Sequence, residues 1–263
     1  MGKELYEPLP SVDEYLKRIG VAAAKEPTRE FLDELIYAHQ CSVPFDDLDV
    51  SDKQIVPSLG VLDLFDKIVV RRRGGYCFEL NGLFAALLRA LGFELRPCMA
   101  RVTFRPNPYP LISHRANIVS IDGARYLADV GFGGPMPTFA PLIEDGATRT
   151  EFSQAFTLRP RDDFWWEVWY KGSKAQEQCV LLFCTMPAEE HDFIPLSFYQ
   201  AQNPQSTFRT YRLANIKTAD GAYDLRDMTF TTFARGEKTV VELGDDDELD
   251  RVLADKFGIV DWR

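Results

Sequence analysis

The sequence predicts an α+β protein with a helical N-terminal third, a mainly β central region and a C-terminal region of mixed type. Apolar residues recur at helical spacing up to about residue 92, and from about residue 94 they alternate as they do in strands. The dipeptide Asp122-Gly123 between two alternating runs is a strong signal for a β-hairpin. Near the end of the chain, an amphipathic run over 246–257 is followed by Gly258, as at the end of a helix.

Four helices are predicted in the first 92 residues. Ser11 and Glu14 fit a capping box at the start of the first helix, and Gly20 ends it. Gly74-Gly75 interrupts the helical pattern just before the fourth helix, which Gly92 closes. The predicted helical segments are 11–20, 28–44, 61–69 and 77–91.

The central region, 94–200, is predicted to form a mostly β barrel or sandwich. Its predicted strands cover 98–104, the two arms of a hairpin over 114–131, 150–158, 165–170 and 178–184. Further strands are predicted over 209–216, 227–233 and 238–243, ahead of a helix over 246–257. The chain has no internal repeat and no low-complexity linker.

The composition excludes several classes of protein. The chain has 263 residues, of which 46% are hydrophobic, so it can bury a large core. No run approaches the roughly 18 apolar residues that a spanning helix needs. A net charge of −10 argues against non-specific nucleic-acid binding and against anionic membranes. Because the N-terminus has no apolar signal core, we expect a cytoplasmic protein with neither a nucleic-acid nor a membrane partner.

The cysteines predict a reactive thiol rather than a disulfide framework or a metal site. Five cysteines, no Cys-x-x-Cys and three widely separated histidines fit neither of those. Cys77 follows Gly74-Gly75 at the predicted start of a helix, where the helix dipole and unpaired N–H groups favour a thiolate. The arginines at 71–73 add positive charge nearby. The alternative for Cys77 is a buried structural cysteine at a helix start.

The predicted hairpin brings a histidine and an aspartate together. If Asp122-Gly123 are the two turn residues, residues whose numbers sum to 245 (122 + 123) face each other. Ala116 then lies opposite Asp129, and His114 lies on the same face as a diagonal neighbour of Asp129. Diagonal positions are roughly 7–8 Å apart, within reach of two polar side chains. Taken singly, His114 also fits a hydrogen-bonded histidine after a loop, and Asp129 a residue of a strand-end turn.

A cysteine, a histidine and an aspartate together can carry out thiol-based acyl transfer. The imidazole takes the thiol proton, while the carboxylate holds the imidazole tautomer and stabilises its charge. We therefore interpret Cys77, His114 and Asp129 as the catalytic residues.

Four blocks of sequence resemble the arylamine N-acetyltransferases, and the resemblance covers nearly the whole chain. The blocks are VPFDDLD at 43–49, RRGGYCFELN at 72–81, His114 with NIV at 117–119, and DVGFGG at 129–134. The resemblance implies an N-terminal helical bundle, a central antiparallel β barrel and a C-terminal α/β lid around a Cys–His–Asp core like that of cysteine proteases. It implies domains over 1–93, which holds the nucleophile, 94–205, which holds the histidine and aspartate, and 206–263.

The resemblance also implies a ping-pong reaction. Acetyl-CoA is expected to acetylate Cys77, and an aromatic amine or hydrazine then takes the acetyl group while His114 assists proton transfer. No metal takes part. The donor remains open between acetyl-, propionyl- and malonyl-CoA.

Binding residues are implied by the same resemblance. Three aromatic residues are expected to line the slot for an aromatic acceptor: Phe45, Phe132 and Phe208. Backbone N–H groups at Gly133 and Gly134 are expected to hold the CoA anion. The family's ion pair near the nucleophile falls on Asp46 and Arg72.

Other classes of function stay open from the sequence alone. A transglutaminase-like or peptidase-like hydrolase can carry the same three residues in the same order, although the blocks at 72–81 and 129–134 favour the transferase. A relative that closes an amide from a carrier-bound acyl group is a second alternative. A non-catalytic binding module is a third, which the loss of a triad residue would have indicated, and all three residues are present.

Overall fold

The structure is a computed structural model that describes residues 2–104, 109–151, 154–172 and 176–263. The predicted α+β class is confirmed, with helices first and antiparallel strands after them. The helices are α1 (Val12–Ile19), α2 (Arg29–Ser42), α3 (Leu48–Ser51), α4 (Val61–Phe65), α5 (Cys77–Ala90), α6 (Phe193–Gln202), α7 (Thr207–Thr210) and α8 (Asp246–Phe257). Within the described ranges, no helix is both long and apolar enough to cross a membrane.

The predicted N-terminal helices are present with their caps. Ser11 Oγ accepts a hydrogen bond from the Glu14 N–H at 3.2 Å, and Gly20 ends α1 in a left-handed conformation. The predicted third helix consists of α4 and a π-helical turn, Asp66–Val70. Helix α6 was not predicted, because the whole of 94–200 was interpreted as mostly β; its Pro195 lies in the first turn, where a proline is tolerated.

The strands form two antiparallel sheets. They are β1 (Phe45–Asp46), β2 (Glu94–Val102), β3 (His114–Ile121), β4 (Ala124–Ala128), β5 (Thr148–Glu151), β6 (Gln154–Pro160), β7 (Trp165–Lys171), β8 (Gln178–Cys184), β9 (Leu213–Thr218), β10 (Gly221–Arg226), β11 (Thr229–Ala234) and β12 (Glu237–Glu242). The larger sheet has the order β4-β3-β2-β8-β7-β6-β5 and curls into a half-barrel. The register of the β3–β4 hairpin is the predicted one, since Ile121 pairs with Ala124 and Asn117 with Ala128.

Alternate residues of this hairpin belong to two different cores. Val119 and Ala128 pack in the core that the sheet shares with α1, α2 and α5. Ile118 and Leu127 face the other way, into a core within the half-barrel. Because α5 lies against the first of these faces, its N-terminus comes close to the start of β3 and to the end of β4.

Three predicted strands differ from the observed ones. The predicted strand over 150–158 is divided into β5 and β6, which pair with each other and place Glu151 opposite Gln154. The two residues between them, 152–153, lie outside the described residues. The prediction over 209–216 missed α7, which Ser206 caps, and β9 starts only at Leu213. The strand predicted over 227–233 is β11, one arm of a hairpin whose turn holds Asp227 at a φ of 54°. Its other arm, β10, was not predicted.

The smaller sheet joins the N-terminal region to the C-terminal region. Its order is β1-β9-β10-β11-β12, and Phe45 of β1 pairs with Asn215 of β9. Helix α8 covers this sheet with Leu249, Leu253 and Phe257. The short strand β1 therefore brings the segment after α2 beside β9, close to the start of α5, through a bridge between Phe45 and Gly75.

Candidate active site

Cys77 is the first residue of α5, and its side chain is buried. The Glu79 carboxylate accepts a hydrogen bond from the Tyr76 N–H at 3.0 Å, which satisfies one of the unpaired donors at the helix start. The Cys77 Sγ lies 3.8 Å from the Ser113 carbonyl oxygen, immediately before β3. The thiol therefore lies at the positive end of α5, where an anion is favoured.

His114 and Asp129 are paired beside this thiol. The His114 Nε2 lies 2.6 Å from the Asp129 Oδ2, and both side chains are buried. Cys77 contributes to the electrostatics of the His114 ring, and because Asp129 occupies Nε2, Nδ1 is the ring nitrogen left for the thiol. Burial disfavours the imidazolium, but the charges of Asp129 and Cys77 outweigh it and raise the pKa of His114 to about 10. The structure thus brings together the three residues interpreted as catalytic.

Asn81 contacts the same carboxylate, a role that the sequence analysis missed. The Asp129 Oδ1 accepts hydrogen bonds from the Asn81 Nδ2 at 2.8 Å and from the Gly131 N–H at 2.9 Å. Asn81 follows Cys77 by four residues on α5, so the two side chains share one face of the helix. An asparagine one turn after Cys77, on a mostly apolar helix, is the signal that could have pointed to it.

Gly131 allows the segment after β4 to lie directly against α5. A Cβ atom at this position would be 2.9 Å from the Cys77 Cα and 2.9 Å from the Asn81 Nδ2. Any larger residue would force the segment away from the nucleophile. The glycine in the DVGFGG block is therefore required by close packing rather than by an unusual φ.

The ion pair expected between Asp46 and Arg72 is wrong, because Arg73 takes that place. The Arg73 Nη2 lies 3.4 Å from the Asp46 Oδ1, and both side chains are buried. Arg72 has a φ of 58° and is exposed. This left-handed backbone position turns its side chain to solvent and directs that of the next residue inward.

A second set of buried charges joins this pair and was not predicted. The Lys67 Nζ lies 2.7 Å from the Asp49 Oδ2 and 2.7 Å from the Glu79 Oε1, and Arg73 lies 3.6 Å from Asp49. Burial raises the pKa of Glu79 and the charge of Lys67 lowers it, with the balance at about 6. Since Glu79 also accepts from the N–H before Cys77, these charges support the start of α5.

Comparison with known proteins identifies the family. A family model described as N-acetyltransferase matches residues 28–261. The arylamine N-acetyltransferase of Mycobacterium tuberculosis is 33% identical over 250 residues, which span 93% of this chain and 88% of the relative. The chain belongs to the arylamine N-acetyltransferase family. The structure of the Mycobacterium marinum arylamine N-acetyltransferase in complex with CoA superposes with a TM-score of 0.89, at 31% identity over 95% of this chain and 93% of the other. An N-malonyltransferase of Gibberella moniliformis is 28% identical over 225 residues, 74% of this chain and 65% of the relative.

Membership of this family makes the chain an acyltransferase, and the aromatic residues expected to bind substrate lie near the thiol. The Phe132 and His114 rings are nearly perpendicular, with centroids 5.6 Å apart. The Phe208 ring lies 6.1 Å from the Phe45 ring and 5.7 Å from the Tyr76 ring. Phe132 therefore packs against His114, while Phe45 and Phe208 pack together beside Tyr76, the residue before Cys77.

A small cavity of about 20 Å³ lies beside these rings. Four of the expected binding residues line it, namely Phe45, Phe132, Gly133 and Gly134, whereas Phe208 does not. A Cβ at Gly133, whose φ is 64°, would lie 2.9 Å from the Phe45 ring. In the described part of the chain, no three His, Cys, Asp or Glu side chains are grouped so that they could hold a metal ion.

Proposed function

We propose that this family member transfers an acetyl group from acetyl-CoA to an aromatic amine or hydrazine through an acetyl-Cys77 intermediate. The observation that carries the proposal is the buried pair of His114 and Asp129 beside Cys77, whose charge acts on His114 at the start of α5. Acyl transfer through a thiol requires a thiol nucleophile, an imidazole that exchanges the thiol proton and a carboxylate that orients the imidazole.

In the first half-reaction, the Cys77 thiolate attacks the carbonyl carbon of the thioester. A new S–C bond forms, the C–S bond to CoA breaks, and the departing CoA thiolate takes the proton of the His114 imidazolium. In the second half-reaction, the amine nitrogen attacks the acetyl carbon and the bond to Cys77 breaks. The amine proton passes to His114, which restores the thiolate and the imidazolium.

Asp129 is proposed to keep the His114 ring in place through both halves of the reaction. Its bond to Nε2 leaves Nδ1 as the nitrogen that exchanges the proton with the thiol. The carboxylate also stabilises the imidazolium, as the raised pKa of His114 indicates.

The acceptor is proposed to bind between aromatic rings. An arylamine offers a flat apolar ring, and the rings of Phe45, Phe132 and Phe208 supply faces and edges for stacking at the approach to Cys77. Backbone N–H groups at Gly133 and Gly134 are proposed to meet the CoA anion. We further propose that 1–93 supplies the nucleophile, 94–205 the histidine and aspartate, and 206–263 closes over the donor.

Intact-mass analysis tests this proposal. The protein is mixed with acetyl-, propionyl- or malonyl-CoA without an acceptor, and the Cys77→Ser variant serves as the matched control. We expect a mass gain of one acetyl group on the wild type, none on the variant, and return to the original mass when an arylamine is added. No mass gain with any of the three donors, together with cleavage of a peptide in a parallel assay, would contradict the proposal and favour a thiol hydrolase, while a gain from malonyl-CoA alone would change the donor.

A further inference from the structure

We infer that Asn81 is a positioning residue for the acyl transfer, acting on the reacting thiol through Asp129 and His114. This inference rests on the proposed function, because it concerns how the same three residues are held. The Asn81 amide is buried next to the site and, in this inference, acts on the reaction without contacting the substrate.

Asn81 connects all three segments that supply the reacting groups. It lies on α5 one turn after Cys77, and its side chain is fully buried. Its Nδ2 donates to the Asp129 Oδ1 at 2.8 Å and to the Arg115 carbonyl oxygen at 2.6 Å, directly after His114. Its Oδ1 accepts from the Val130 N–H at 2.9 Å, directly after Asp129. One side chain therefore fixes the helix of the nucleophile, the strand of the histidine and the segment of the carboxylate.

These hydrogen bonds set the orientation of the Asp129 carboxylate. Its Oδ1 is occupied by Asn81 and by the Gly131 N–H, so only its Oδ2 is directed at the His114 Nε2. Without the Asn81 amide, the Oδ1 keeps a single backbone donor and the carboxylate is free to turn about its Cα–Cβ and Cβ–Cγ bonds. A turned carboxylate stabilises the imidazolium less, and the imidazolium in turn stabilises the thiolate less.

The groups that surround this pair belong to three elements. The charged partners of His114 are Asp129 and, from α5, Cys77. On β2, Cys98 is coupled to Asp129, but burial raises the pKa of Cys98 far above the working range. The pH at which Cys77 becomes reactive therefore reports on the His114–Asp129 pair.

A purely structural role for Asn81 makes a different prediction, and Asn117 is the matched control. Asn117 is also a fully buried asparagine, and its Nδ2 donates across the same junction, from β3 to the Asn81 carbonyl oxygen at 3.0 Å. It forms no hydrogen bond with Asp129 among the described residues. Loss of either amide weakens the contact between α5 and β3, but only loss of Asn81 releases the carboxylate.

The experiment is a pH profile of Cys77 alkylation by iodoacetamide, followed by peptide mapping. Asn81→Ala should raise the midpoint by about one to two pH units, the worth of a hydrogen bond to a charged group. Asn117→Ala should leave the midpoint within about 0.3 units of the wild type, close to the resolution of such profiles. In an Asp129→Ala background, Asn81→Ala should produce no further shift, because the two residues act as a unit.

Three results would overturn the inference: an unchanged midpoint in Asn81→Ala, an equal shift in Asn117→Ala, or a shift that persists without Asp129. Should Asn81→Ala fail to fold, Asn81→Leu fills the volume of the lost amide and is measured in its place. A wild-type NMR titration decides if both fail, because the Asn81 side-chain amide should then shift with the ionisation of His114, and an amide that stays constant refutes the inference. Alkylation requires no acyl donor, so absence of acetylation in the wild type would reject the proposed function without deciding on Asn81.

Discussion

Replacing Lys67 by methionine should strongly destabilise the protein, because a buried carboxylate loses its cation. The Lys67 and Glu79 side chains are 9% and 2% exposed and lie 2.7 Å apart. Removal of one partner of a buried pair typically costs about 3–5 kcal/mol, and one kcal/mol lowers Tm by roughly 2–4 °C in a chain of this size. We therefore expect Tm to fall by roughly 6–20 °C at pH 7.

The free energy of unfolding lost in Lys67→Met should increase with pH, because the variant changes the pKa of Glu79. Because its pKa in the folded protein, about 6, is above the usual 4.5, Glu79 contributes stability that is present below pH 4.5 and lost as pH rises through 6. Without Lys67 the pKa of Glu79 rises further, so more stability is lost between pH 6 and pH 8. The difference in unfolding free energy between wild type and variant should thus be larger at pH 8 than at pH 5.

Far-UV circular dichroism measures both effects: thermal unfolding at pH 7 gives the change in Tm, and urea unfolding at pH 5 and pH 8 gives the pH dependence of the free energy of unfolding. Arg235→Met is the control, since it breaks an ion pair with Asp220 whose side chains are 82% and 52% exposed, and it should change Tm very little. Adding Glu79→Gln to Lys67→Met should recover part of the loss at pH 8. A Lys67→Met variant that is as stable as Arg235→Met, or whose loss does not depend on pH, would refute the reasoning.

Three further predictions concern the site itself. Asp129→Asn should lower the rate of acetylation by about 10⁴, as in a serine triad, when measured by rapid-quench mass spectrometry; a loss of only a few-fold would contradict its role. Gly131→Ala should cost about 1–3 kcal/mol in urea unfolding together with activity, whereas Gly244→Ala, which has room for a Cβ, should change neither. Peptide mapping after alkylation at pH 7 should find Cys77 labelled first, and preferential labelling of another cysteine would refute this. Burial raises the thiol pKa of three of the others: Cys41, Cys98 and Cys179.

Features that depend only on residues close together in the sequence were predicted correctly. The cap at Ser11 and the two-residue turn at Asp122-Gly123 depend on neighbouring residues alone, and both are found as predicted. Because that turn sets the register, it also brought His114 and Asp129 onto one face. The closeness of Cys77 to this pair needs the packing of α5 on the sheet, which the sequence analysis inferred from the chemistry of the three residues and from the family resemblance, not from a local signal.

Features that depend on tertiary context escaped the sequence analysis. Asp46 pairs with Arg73 rather than Arg72 because of a positive φ that a non-glycine residue rarely adopts. The hydrogen bonds of Asn81 and the charges around Lys67 join residues that are up to 49 positions apart. Helical spacing could have placed Asn81 on the same face as Cys77, but no periodicity or turn signal identifies the distant partners of Asn81 or Lys67.

In the proposed reaction, the nitrogen of the His114 ring that faces Asp129 determines where the acceptor amine must bind. In a serine-protease triad the carboxylate binds Nδ1 and the nucleophile uses Nε2, whereas here Asp129 binds Nε2. Nδ1 lies nearer the backbone, in agreement with the position of the Cys77 Sγ 3.8 Å from the Ser113 carbonyl oxygen. In the proposed reaction the amine therefore delivers its proton close to the start of β3, beside the Phe132 ring. We expect substitutions at Phe132 to change the choice of acceptor amine more than the first, acyl-accepting half-reaction, which leaves the thiol and both ring nitrogens in place.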